Sequence, residues 1–314
     1  MFTVLNDSID PFYNLAFEEY VFDRMTGGDA LLVWRNAPCV VVGCHQNICG
    51  EVRPALLRRM GVPVLRRSSG GGTVYHDLGN INYTLMLSGD GADYDRCLRP
   101  VIAALNDLGA PAQRGHGSDI AIDGRKISGS AQRISHGRLL HHGTLLFDAD
   151  LDALNRITTR HKDRGVSSKA TASAISTVTN IRDHLSKPMT VESFAEALLD
   201  RMLPEGAPRL ELDEAQRAEV ERIRNEKYAA WAWTWGRNPA FELNRTGALG
   251  GKPVELSYRA KKGVISEGKV RSDALDCPRA ERMLEGARLD PDGLYEICEA
   301  LAGEEAETLL DLLM

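Results

Sequence analysis

The sequence predicts an α+β fold, with a mixed, mostly antiparallel sheet flanked by helices and a small α+β domain at the C-terminus. Strand-like segments outnumber the helices that would be needed to connect parallel strands, which argues against a doubly wound sheet. Two turn signals, Asp123-Gly124 and Ser135-His136-Gly137, favour antiparallel hairpins, because Asp and Gly tolerate a positive φ angle. The length of 314 residues favours one large domain plus a smaller one.

Short apolar and β-branched segments predict the strands of the large domain. They cover residues 30–35, 39–43, 62–67, 80–87 and 139–147. Within the fourth segment, every second residue from Ile81 to Leu87 is large and apolar. That period is typical of a strand that is buried on one face.

Helical patterns lie between and after these strands. Pro11 follows Asp10 as a first-turn proline does, and it predicts a helix that ends near Met25. Further helices are expected over residues 93–108 and, with many charges, over about 212–230.

The end of the chain forms the second predicted domain. Proline and glycine residues predict a linker near residues 240–250. Two β-rich runs on either side of Lys261-Lys262-Gly263 predict a hairpin, and helical patterns continue to the C-terminus. The expected domains are residues 1–243 and 248–314.

Composition and charge exclude several classes of protein. The net charge of −6 argues against general nucleic-acid affinity, which requires a clustered positive surface. No stretch approaches the roughly 20 apolar residues that span a bilayer, and the N-terminus lacks the pattern of a secretory signal. Six cysteines are too few for a disulfide scaffold. We expect a cytoplasmic monomer with reduced cysteines that binds neither membrane nor nucleic acid.

The most informative motif is the run RRSSGGGTVYH at residues 66–76, directly after a predicted strand. Three consecutive glycines are conformationally costly, so a compact domain keeps them where backbone must approach a ligand closely. Their N–H groups can surround an anion, and Arg67 adds a permanently charged donor. The alternative, a flexible turn, leaves the flanking arginines and serines unexplained. The spacing fits neither a P-loop nor a dinucleotide fingerprint, so any phosphate binding follows another scheme.

A second run, residues 118–130, carries a lysine on a predicted strand. Alternation after the hairpin turn places Lys126, Ser128 and Ser130 on one face. From that face Lys126 can enter a pocket and stabilise developing negative charge, although most strand lysines are exposed to solvent. Asp119 can hold Mg²⁺ through one carboxylate when water and phosphate complete the coordination shell.

Histidine and cysteine clusters give weaker signals. His141 and His142 are adjacent on a predicted strand and face opposite ways, so one can line a pocket but the pair does not form a two-ligand metal site. Cys39, Cys44 and Cys49 recur every five residues, a spacing that matches no familiar zinc or iron–sulfur motif. We expect these cysteines to be ordinary strand and loop thiols.

Residues 158–180 form a long segment of small and polar residues, which is typical of a functional lid or of disorder. Its Ser, Thr and Ala side chains offer little apolar surface to offset the entropy lost when the backbone becomes ordered. We expect residues 164–180 to be mobile in the free protein and ordered over a bound ligand.

Four motifs, in this order, resemble the lipoate-protein ligase family. They are RRSSGGGTVYHDLGNINYT, DGRKISGSAQR, HHGTLLFDADL and VTNI, and the similarity covers about residues 30–182. The resemblance implies the biotin/lipoate ligase-like catalytic fold, together with the C-terminal accessory domain of one ligase branch. It also implies that the chain activates lipoate with ATP and Mg²⁺ to lipoyl-AMP and transfers the lipoyl group to an acceptor lysine. The implied acceptors are lipoyl domains of 2-oxoacid dehydrogenase E2 subunits or the glycine cleavage H protein.

The resemblance assigns roles to individual residues. Lys126 would be the catalytic cation that holds the lipoyl carboxylate and the activated phosphate, and Asp119 would bind Mg²⁺. Contacts to ATP, the adenylate or the lipoyl group would come from Arg67, Ser69, Gly70, Gly71, Gly72, Thr73, Val74, Tyr75, His76, Asn80, Lys126, Ser128, His142, Thr177, Val178 and Thr179.

Two positions depart from the family pattern. Ser118 stands where the family usually has Asn, and Ala174-Ile175-Ser176-Thr177 stands where ligases commonly carry arginines. Fewer cations near the adenylate imply weaker ATP binding, a different acyl donor, or compensation by Lys169 or Arg164.

Three other functions remain open from the sequence. An ATP-independent lipoyl or octanoyl transferase of the same superfamily would need a cysteine nucleophile, but no cysteine occurs between Cys97 and Cys277. The lipoate-type glycine loop disfavours biotin ligation. A non-catalytic lipoyl-binding protein would require Lys126 to be dispensable.

Overall fold

The computed structural model describes residues 1–89, 91–158, 165–171, 173 and 176–314. The strands are β1 Thr3–Val4, β2 Ala30–Trp34, β3 Cys39–Val42, β4 Val64–Arg66, β5 Val74–His76, β6 Asn80–Ser88, β7 Gln113–Arg114, β8 Asp119–Ile122, β9 Arg125–Ser135, β10 Arg138–Leu146, β11 Val166–Ser168, β12 Arg209–Leu210, β13 Phe241–Leu249, β14 Lys252–Lys261 and β15 Val264–Ser272. The helices are α1 Pro11–Arg24, α2 Pro54–Met60, α3 Tyr94–Asp107, α4 Leu151–Thr158, α5 Val191–Met202, α6 Glu214–Ile223, α7 Trp231–Thr234, α8 Cys277–Leu284, α9 Pro291–Ala302 and α10 Ala306–Leu313. None of the described helices combines the length and apolar character that crossing a membrane requires.

Three sheets and one strand pair organise these elements. The largest sheet has the strand order β2-β6-β10-β9-β8-β7 and is antiparallel throughout. A second sheet, β4-β3-β5, contains the parallel pair β3–β4, and β1 pairs with β12 in parallel. The third sheet, β11-β13-β14-β15, is antiparallel. The expected α+β fold with mixed, mostly antiparallel sheets is confirmed.

Both predicted turns close hairpins of the largest sheet. Asp123 and Gly124, with φ angles of 49° and 74°, connect β8 to β9. His136 and Gly137, with φ angles of 51° and 70°, connect β9 to β10. Left-handed φ angles cost glycine little and are more often adopted by Asp and His than by most residues, so these two turns were visible in the sequence.

Helix α1 covers one face of the largest sheet. Asp10 accepts a hydrogen bond from the Phe12 N–H at 2.9 Å, and Pro11 begins the helix as predicted. The Asn14 side chain donates to the Arg35 backbone oxygen at 2.8 Å, which ties the helix to the segment after β2. The buried face of α1 packs against apolar residues of β2, β6 and β10 and carries Glu18 into the interior.

Strand β6 is buried on both faces, and the prediction of a strand buried on one face is wrong. Ile81 and Tyr83 belong to a cluster with residues of α3 and α5, whereas Met86 packs with residues of α1. Because β6 lies between β2 and β10 with helices on both sides, its Asn and Thr side chains occupy the interior instead of solvent.

A strand replaces the linker that the sequence predicted near residues 240–250. β13 runs through this segment and pairs with β11 from the preceding part of the chain. Gly247 allows Leu312 to pack closely on this strand, because a Cβ atom at position 247 would come within 2.6 Å of a Leu312 methyl group. Apolar residues of β13–β15 and α8–α10 share one cluster with α2 and β3 residues. The division into residues 1–243 and 248–314 stays a prediction.

Arg66 joins the loop after β3 to the end of α7 and to the residues that follow it. Its side chain is fully buried, and its guanidinium donates to the backbone oxygens of Gly43, Gln46 and Thr234, each at 2.9 Å. A further bond reaches Asn238 Oδ1 at 3.2 Å. Burial lowers the pKa of Arg66 to about 10, so the guanidinium remains charged at neutral pH.

We predict that Arg66→Met destabilises the protein by about 3 kcal/mol or more, because several buried oxygens lose their donors at roughly 1–3 kcal/mol each. Arg66→Lys should rescue little, since one ammonium does not reproduce the planar fork. Urea denaturation of both variants measures the effect, with Arg259→Met, an exposed ion pair, as the control. A midpoint for Arg66→Met equal to that of the control would contradict this role.

Candidate active site

A cavity of about 360 Å³ lies between the largest sheet, the β4-β3-β5 sheet and α1. Its size suits a small-molecule ligand. Apolar side chains, including Leu15, Trp34 and Val41, form part of its wall. The predicted site residues that border it are Arg67, Gly71, Gly72, Thr73, Val74, His76, Asp119, Lys126 and His142.

The remaining predicted site residues do not border the cavity. These are Ser69, Gly70, Tyr75, Asn80, Ser128, Thr177, Val178 and Thr179. Ser128 is fully buried because a register shift interrupts the β8–β9 pairing: Lys126 lies opposite Ala121, but Ser128 lies opposite Ile120. Neighbouring residues of one strand face opposite sides, so the expectation that Lys126 and Ser128 share a face is wrong.

Arg67 fixes the glycine loop, residues 70–72. Its guanidinium donates to the backbone oxygens of Gly72 at 2.7 Å, Gly70 at 2.5 Å and Val41 at 3.1 Å. Burial lowers the pKa of Arg67 to about 10, which leaves it charged at neutral pH. Gly71 has a φ angle of 85°, and a Cβ atom there would approach Arg67 Nη2 to 2.9 Å. The loop is therefore wrapped around a buried cation, and it is not a flexible turn.

Lys126 forms an ion pair with Asp119 at the open end of the cavity. The Lys126 Nζ to Asp119 Oδ1 distance is 2.9 Å, and the two side chains are 29% and 20% exposed. Gly129 lies beside them, and a Cβ atom there would come within 2.9 Å of Nζ and 3.0 Å of Cε. Gly129 thus leaves the space that the Lys126 side chain occupies. A glycine inside a strand signals such a close approach, but this role of Gly129 was not predicted from the sequence.

Residues 177–179 act on Lys126 through its main chain. The Lys126 N–H donates to the Thr177 oxygen at 2.8 Å, and the Thr179 N–H donates to the Lys126 oxygen at 3.1 Å. Val178 forms a parallel bridge with Lys126, and Thr179 Oγ1 is 3.1 Å from His184 Nε2. None of the three borders the cavity, and their predicted contact with ligand stays a prediction.

Glu18 is a buried carboxylate that the sequence analysis missed. His142 Nδ1 is 2.9 Å from Glu18 Oε1, His142 Nε2 is 2.6 Å from Ser69 Oγ, and Thr84 donates to Glu18 at 2.6 Å. Burial alone raises the pKa of Glu18, but His142, Thr84 and Arg67 outweigh it and lower the pKa below its ordinary value. The order Ser69–His142–Glu18 is that of a hydrolase triad, yet Ser69 does not border the cavity, and Arg67 Nε donates to its Oγ at 3.1 Å. Both ring nitrogens of His142 are therefore hydrogen-bonded to other side chains, Nδ1 to Glu18 and Nε2 to Ser69.

His76 and His141 are neutral in the folded protein, because burial lowers the pKa of each to about 3. His141 contacts Gln132 through Nδ1 at 3.0 Å and the Tyr83 hydroxyl through Nε2 at 3.3 Å. As expected for adjacent strand residues, His142 borders the cavity and His141 does not. His141 is fully buried in the core.

Two residues of the predicted lid lie against the cavity, namely Thr171 and Ser173. Ser173 Oγ accepts hydrogen bonds from the Thr73 N–H at 2.8 Å and from Gln46 Nε2 at 3.0 Å, and it donates to the Glu51 carboxylate. The mobility of this segment without ligand stays a prediction. Four of the residues 164–180 lie outside the described part of the chain: Arg164, Ala172, Ala174 and Ile175.

Asp119, the predicted magnesium ligand, does not belong to a cluster of metal-binding side chains in the described residues. Within the residues that the structure describes, no three His, Cys, Asp or Glu side chains are grouped to hold a metal ion. Mg²⁺ is commonly held by one or two carboxylates together with substrate phosphates. The single carboxylate of Asp119 therefore suits a Mg²⁺ ion that is bound together with the phosphates of a substrate.

Comparison with known proteins gives consistent results. Residues 10–203 match the family model described as the lipoyl protein ligase A/B catalytic domain. The chain is 34% identical over 303 residues to lipoate-protein ligase LplJ of Bacillus subtilis, covering 93% of this chain and 91% of that protein. The fold is similar to that of P. falciparum LipL1, solved in complex with lipoate, with a TM-score of 0.63 and 20% identity over 100% of this chain and 99% of that one. It is also similar to lipoate-protein ligase A bound with ATP, with a TM-score of 0.62 and 23% identity over 74% of this chain and 97% of that one.

Because the pKa values of His76 and His141 are low in the folded protein, we predict that the free energy of unfolding falls as the pH decreases. Between pH 6.5 and about 3 the unfolded chain binds protons at His76 and His141 that the folded protein does not, so each site weakens folding by roughly 1.4 kcal/mol per pH unit. His141→Gln should therefore give a shallower decline of the free energy of unfolding between pH 7.5 and 5, measured by urea denaturation. The exposed His136→Gln is the matched control. Equal slopes for the two variants would show that His141 is protonated in the folded protein.

Proposed function

The chain belongs to the lipoate-protein ligase family, and we propose that it attaches lipoate to an acceptor lysine through two displacements. In the first, a carboxylate oxygen of lipoate attacks the α-phosphorus of ATP, which forms lipoyl-AMP and releases pyrophosphate. In the second, the neutral acceptor amine attacks the acyl carbon, the bond to the AMP oxygen breaks, and the nitrogen loses a proton. The product is a lipoyl amide.

The observation that carries this proposal is the position of Lys126. Its ammonium group borders a partly apolar cavity at the end where the cavity is exposed, beside Asp119 and supported by Gly129 and residues 177–179. Both displacements develop negative charge on oxygens next to the acyl carbon. A fixed ammonium at this point stabilises that charge in each transition state.

The two substrates fit different parts of the same cavity. The apolar wall, with Leu15, Trp34 and Val41, suits the hydrocarbon chain of lipoate. The glycine loop and Lys126 supply N–H groups and positive charge that suit the phosphates of ATP. Asp119 would hold Mg²⁺, which supplies positive charge that neutralises the phosphates when it is bound.

We further propose the acceptors that the family resemblance implies, lipoyl domains of 2-oxoacid dehydrogenase E2 subunits or the glycine cleavage H protein. A cytoplasmic monomer with an accessory domain at residues 248–314 completes the proposal. This part of the proposal rests on the sequence resemblance.

The positions of the cysteines disfavour the rival ATP-independent transfer. That reaction would need a thiolate at the acyl carbon. None of the six cysteines borders the cavity. Burial raises the pKa of Cys97 to about 11 and raises that of Cys39 further, so both remain protonated thiols at neutral pH. The ligase mechanism needs none of them.

We expect lipoyl-AMP to accumulate when the protein is incubated with ATP, Mg²⁺ and lipoate without acceptor, as measured by mass spectrometry. Lys126→Ala should lower lipoate-dependent ATP–pyrophosphate exchange by about 10²- to 10³-fold, the scale for a preorganised donor, without unfolding the protein. Lys126→Arg should also fail, because a planar fork does not replace a compact ammonium. Lys252→Ala, which changes an exposed lysine of β14, is the control. Exchange by Lys126→Ala within about tenfold of the wild type would refute the assigned role.

A second prediction concerns Gly129. Gly129→Ala should fold normally, because no left-handed φ angle requires glycine at this position, but the new methyl group displaces the Lys126 ammonium. We expect pyrophosphate exchange to fall by about tenfold or more. Gly268→Ala, in β15, adds a methyl group at an ordinary contact distance of 3.5 Å and serves as control. If both variants exchange at the wild-type rate, Gly129 does not position Lys126.

A further inference from the structure

Thr144 lies next to Lys126 on the wall of the cavity. In the β9–β10 pairing Gly143 lies opposite Ser130, so the following residue of β10, Thr144, lies opposite Gly129. The Gly129 N–H donates to Thr144 Oγ1 at 3.3 Å, which confirms that the two residues are neighbours. Residues that lie opposite each other on antiparallel strands share one face of the sheet, with Cβ positions about 5 Å apart.

The Lys126 ammonium group occupies the space above Gly129. A Cβ atom at Gly129 would come within 2.9 Å of Lys126 Nζ, so Nζ lies where a side chain of that residue would otherwise be. The Thr144 side chain is the neighbour of that place on β10, and all three residues border the cavity. An ammonium group and a hydroxyl group therefore lie side by side at this end of the cavity.

The hydroxyl group of Thr144 can donate to a ligand. A threonine hydroxyl has one hydrogen to donate and can accept two hydrogen bonds. The Gly129 N–H uses one of the acceptor positions, and the hydrogen has no acceptor among the residues that the structure describes. Thr144 is only partly buried and borders the cavity, so a bound molecule can reach it.

Other hydroxyl groups at the cavity already donate to the protein. Those of Ser118 and Ser130 each donate to the backbone oxygen of the other residue, at 3.0 and 2.8 Å. Those of Thr73 and Ser173 donate to side-chain oxygens of the chain. Within the described part of the sheet wall, Thr144 is thus the hydroxyl residue whose hydrogen remains available.

We propose that the Thr144 hydroxyl and the Lys126 ammonium together donate to the acyl oxygen of lipoyl-AMP and stabilise the oxyanion that forms when the acceptor amine attacks. The inference rests on the proposed ligase function and assigns a second catalytic group to the second displacement. As the nitrogen bonds to the acyl carbon, one electron pair of the C=O bond moves onto the oxygen. The C=O bond then re-forms, AMP leaves with the electron pair of its C–O bond, and the nitrogen loses a proton to water. Thr144 and Lys126 keep their protons.

Two donors suit an oxygen whose negative charge grows in the transition state. A fixed donor that is aimed at this oxygen binds it more strongly as the charge develops, which lowers the barrier. Lys126 also donates to Asp119 Oδ1 at 2.9 Å, so part of its charge is balanced by a carboxylate. Thr144 Oγ1 is held by the Gly129 N–H and has no counter-ion, and it adds a donor of fixed position.

The test compares two unreactive analogues of lipoyl-AMP by titration calorimetry. In the ketone analogue a CH₂ group replaces the oxygen between the acyl carbon and phosphorus, and in the alkyl analogue a second CH₂ group replaces the carbonyl. The two have the same charge and differ in the acyl oxygen. The wild type should bind the ketone about tenfold or more tightly, because the alkyl analogue leaves the donors without an acceptor.

The contribution of Thr144 is the change in this ratio of affinities. Thr144→Val has nearly the same shape but no hydroxyl, and it should lower the ratio by about threefold or more. Thr144→Ser keeps the hydroxyl and should keep the ratio. Thr246→Val, at an exposed position of β13, is the matched control and should also keep it.

A second comparison separates direct donation from an effect through Lys126, because Thr144→Val also removes the acceptor of the Gly129 N–H. In Lys126→Ala the ratio should be smaller, and adding Thr144→Val should lower it again by about threefold. If the added substitution has no effect in that background, Thr144 only positions Lys126 and the proposed donation is overturned.

Reaction of the enzyme-bound lipoyl-AMP with hydroxylamine tests the oxyanion directly and requires no acceptor domain. Single-turnover formation of the lipoyl hydroxamate should be about tenfold slower in Thr144→Val than in the wild type, the scale for a hydrogen bond to a charged group. Equal rates would contradict stabilisation of the oxyanion by Thr144.

Failure of this inference differs from failure of the ligase function. Equal affinity of the wild type for the two analogues, or an unchanged ratio in Thr144→Val, would overturn the role of Thr144 and leave the ligase function intact. A wild type that binds neither analogue would instead refute the ligase function. If Thr144→Val does not fold, Thr144→Ala, which removes the hydroxyl and adds no atoms, replaces it in every comparison.

Discussion

The buried guanidinium of Arg67 is the interaction on which the site depends. It holds the glycine loop through Gly70 and Gly72 and holds β3 through Val41. Through Ser69 it also connects to His142 and thereby to Glu18 of α1. Burying a charged group costs free energy unless all its N–H groups are hydrogen-bonded. The backbone oxygens that accept from Arg67 therefore have little freedom to move. The glycine loop, the cavity wall and α1 consequently adopt one relative arrangement.

Arg66 is a second buried guanidinium, and it fixes backbone on the other side of β4. It precedes Arg67 at the end of β4, and adjacent strand residues face opposite sides. One arginine therefore organises the cavity while the other binds the loop at Gly43 and Gln46 to Thr234 and Asn238. Gln46 in turn accepts a hydrogen bond from Thr73 Oγ1 at 2.9 Å. Two consecutive residues, Arg66 and Arg67, thus link Thr234 and Asn238 to the glycine loop.

Local signals in the sequence predicted much of the fold, and long-range contacts account for what it missed. The hairpin at Asp123-Gly124 and the start of α1 depend on neighbouring residues alone, and both were predicted. The burial of Ser128 depends on a register shift opposite β8, which strand alternation does not reveal.

The role of Glu18 likewise requires β10 to bring His142 beside α1. An acidic residue among apolar neighbours on a helix was the one signal available, and it does not name a partner. Gly247 looked like part of a linker because the residue that packs over it, Leu312, lies far along the chain. The family motifs identified residues that border the cavity, but they did not distinguish these from residues that support it.

Thr177, the last residue of the departure from the family pattern, lies beside Lys126. Thr177 and Thr179 bond to the lysine through backbone groups, and Ser173 bonds to the N–H of Thr73. Ser173, Thr177 and Thr179 therefore contact both Lys126 and Thr73, the residue after the glycine loop. Backbone hydrogen bonds do not depend on which side chain each residue carries, so the main-chain support of Lys126 does not require arginine side chains at Thr177 or Thr179.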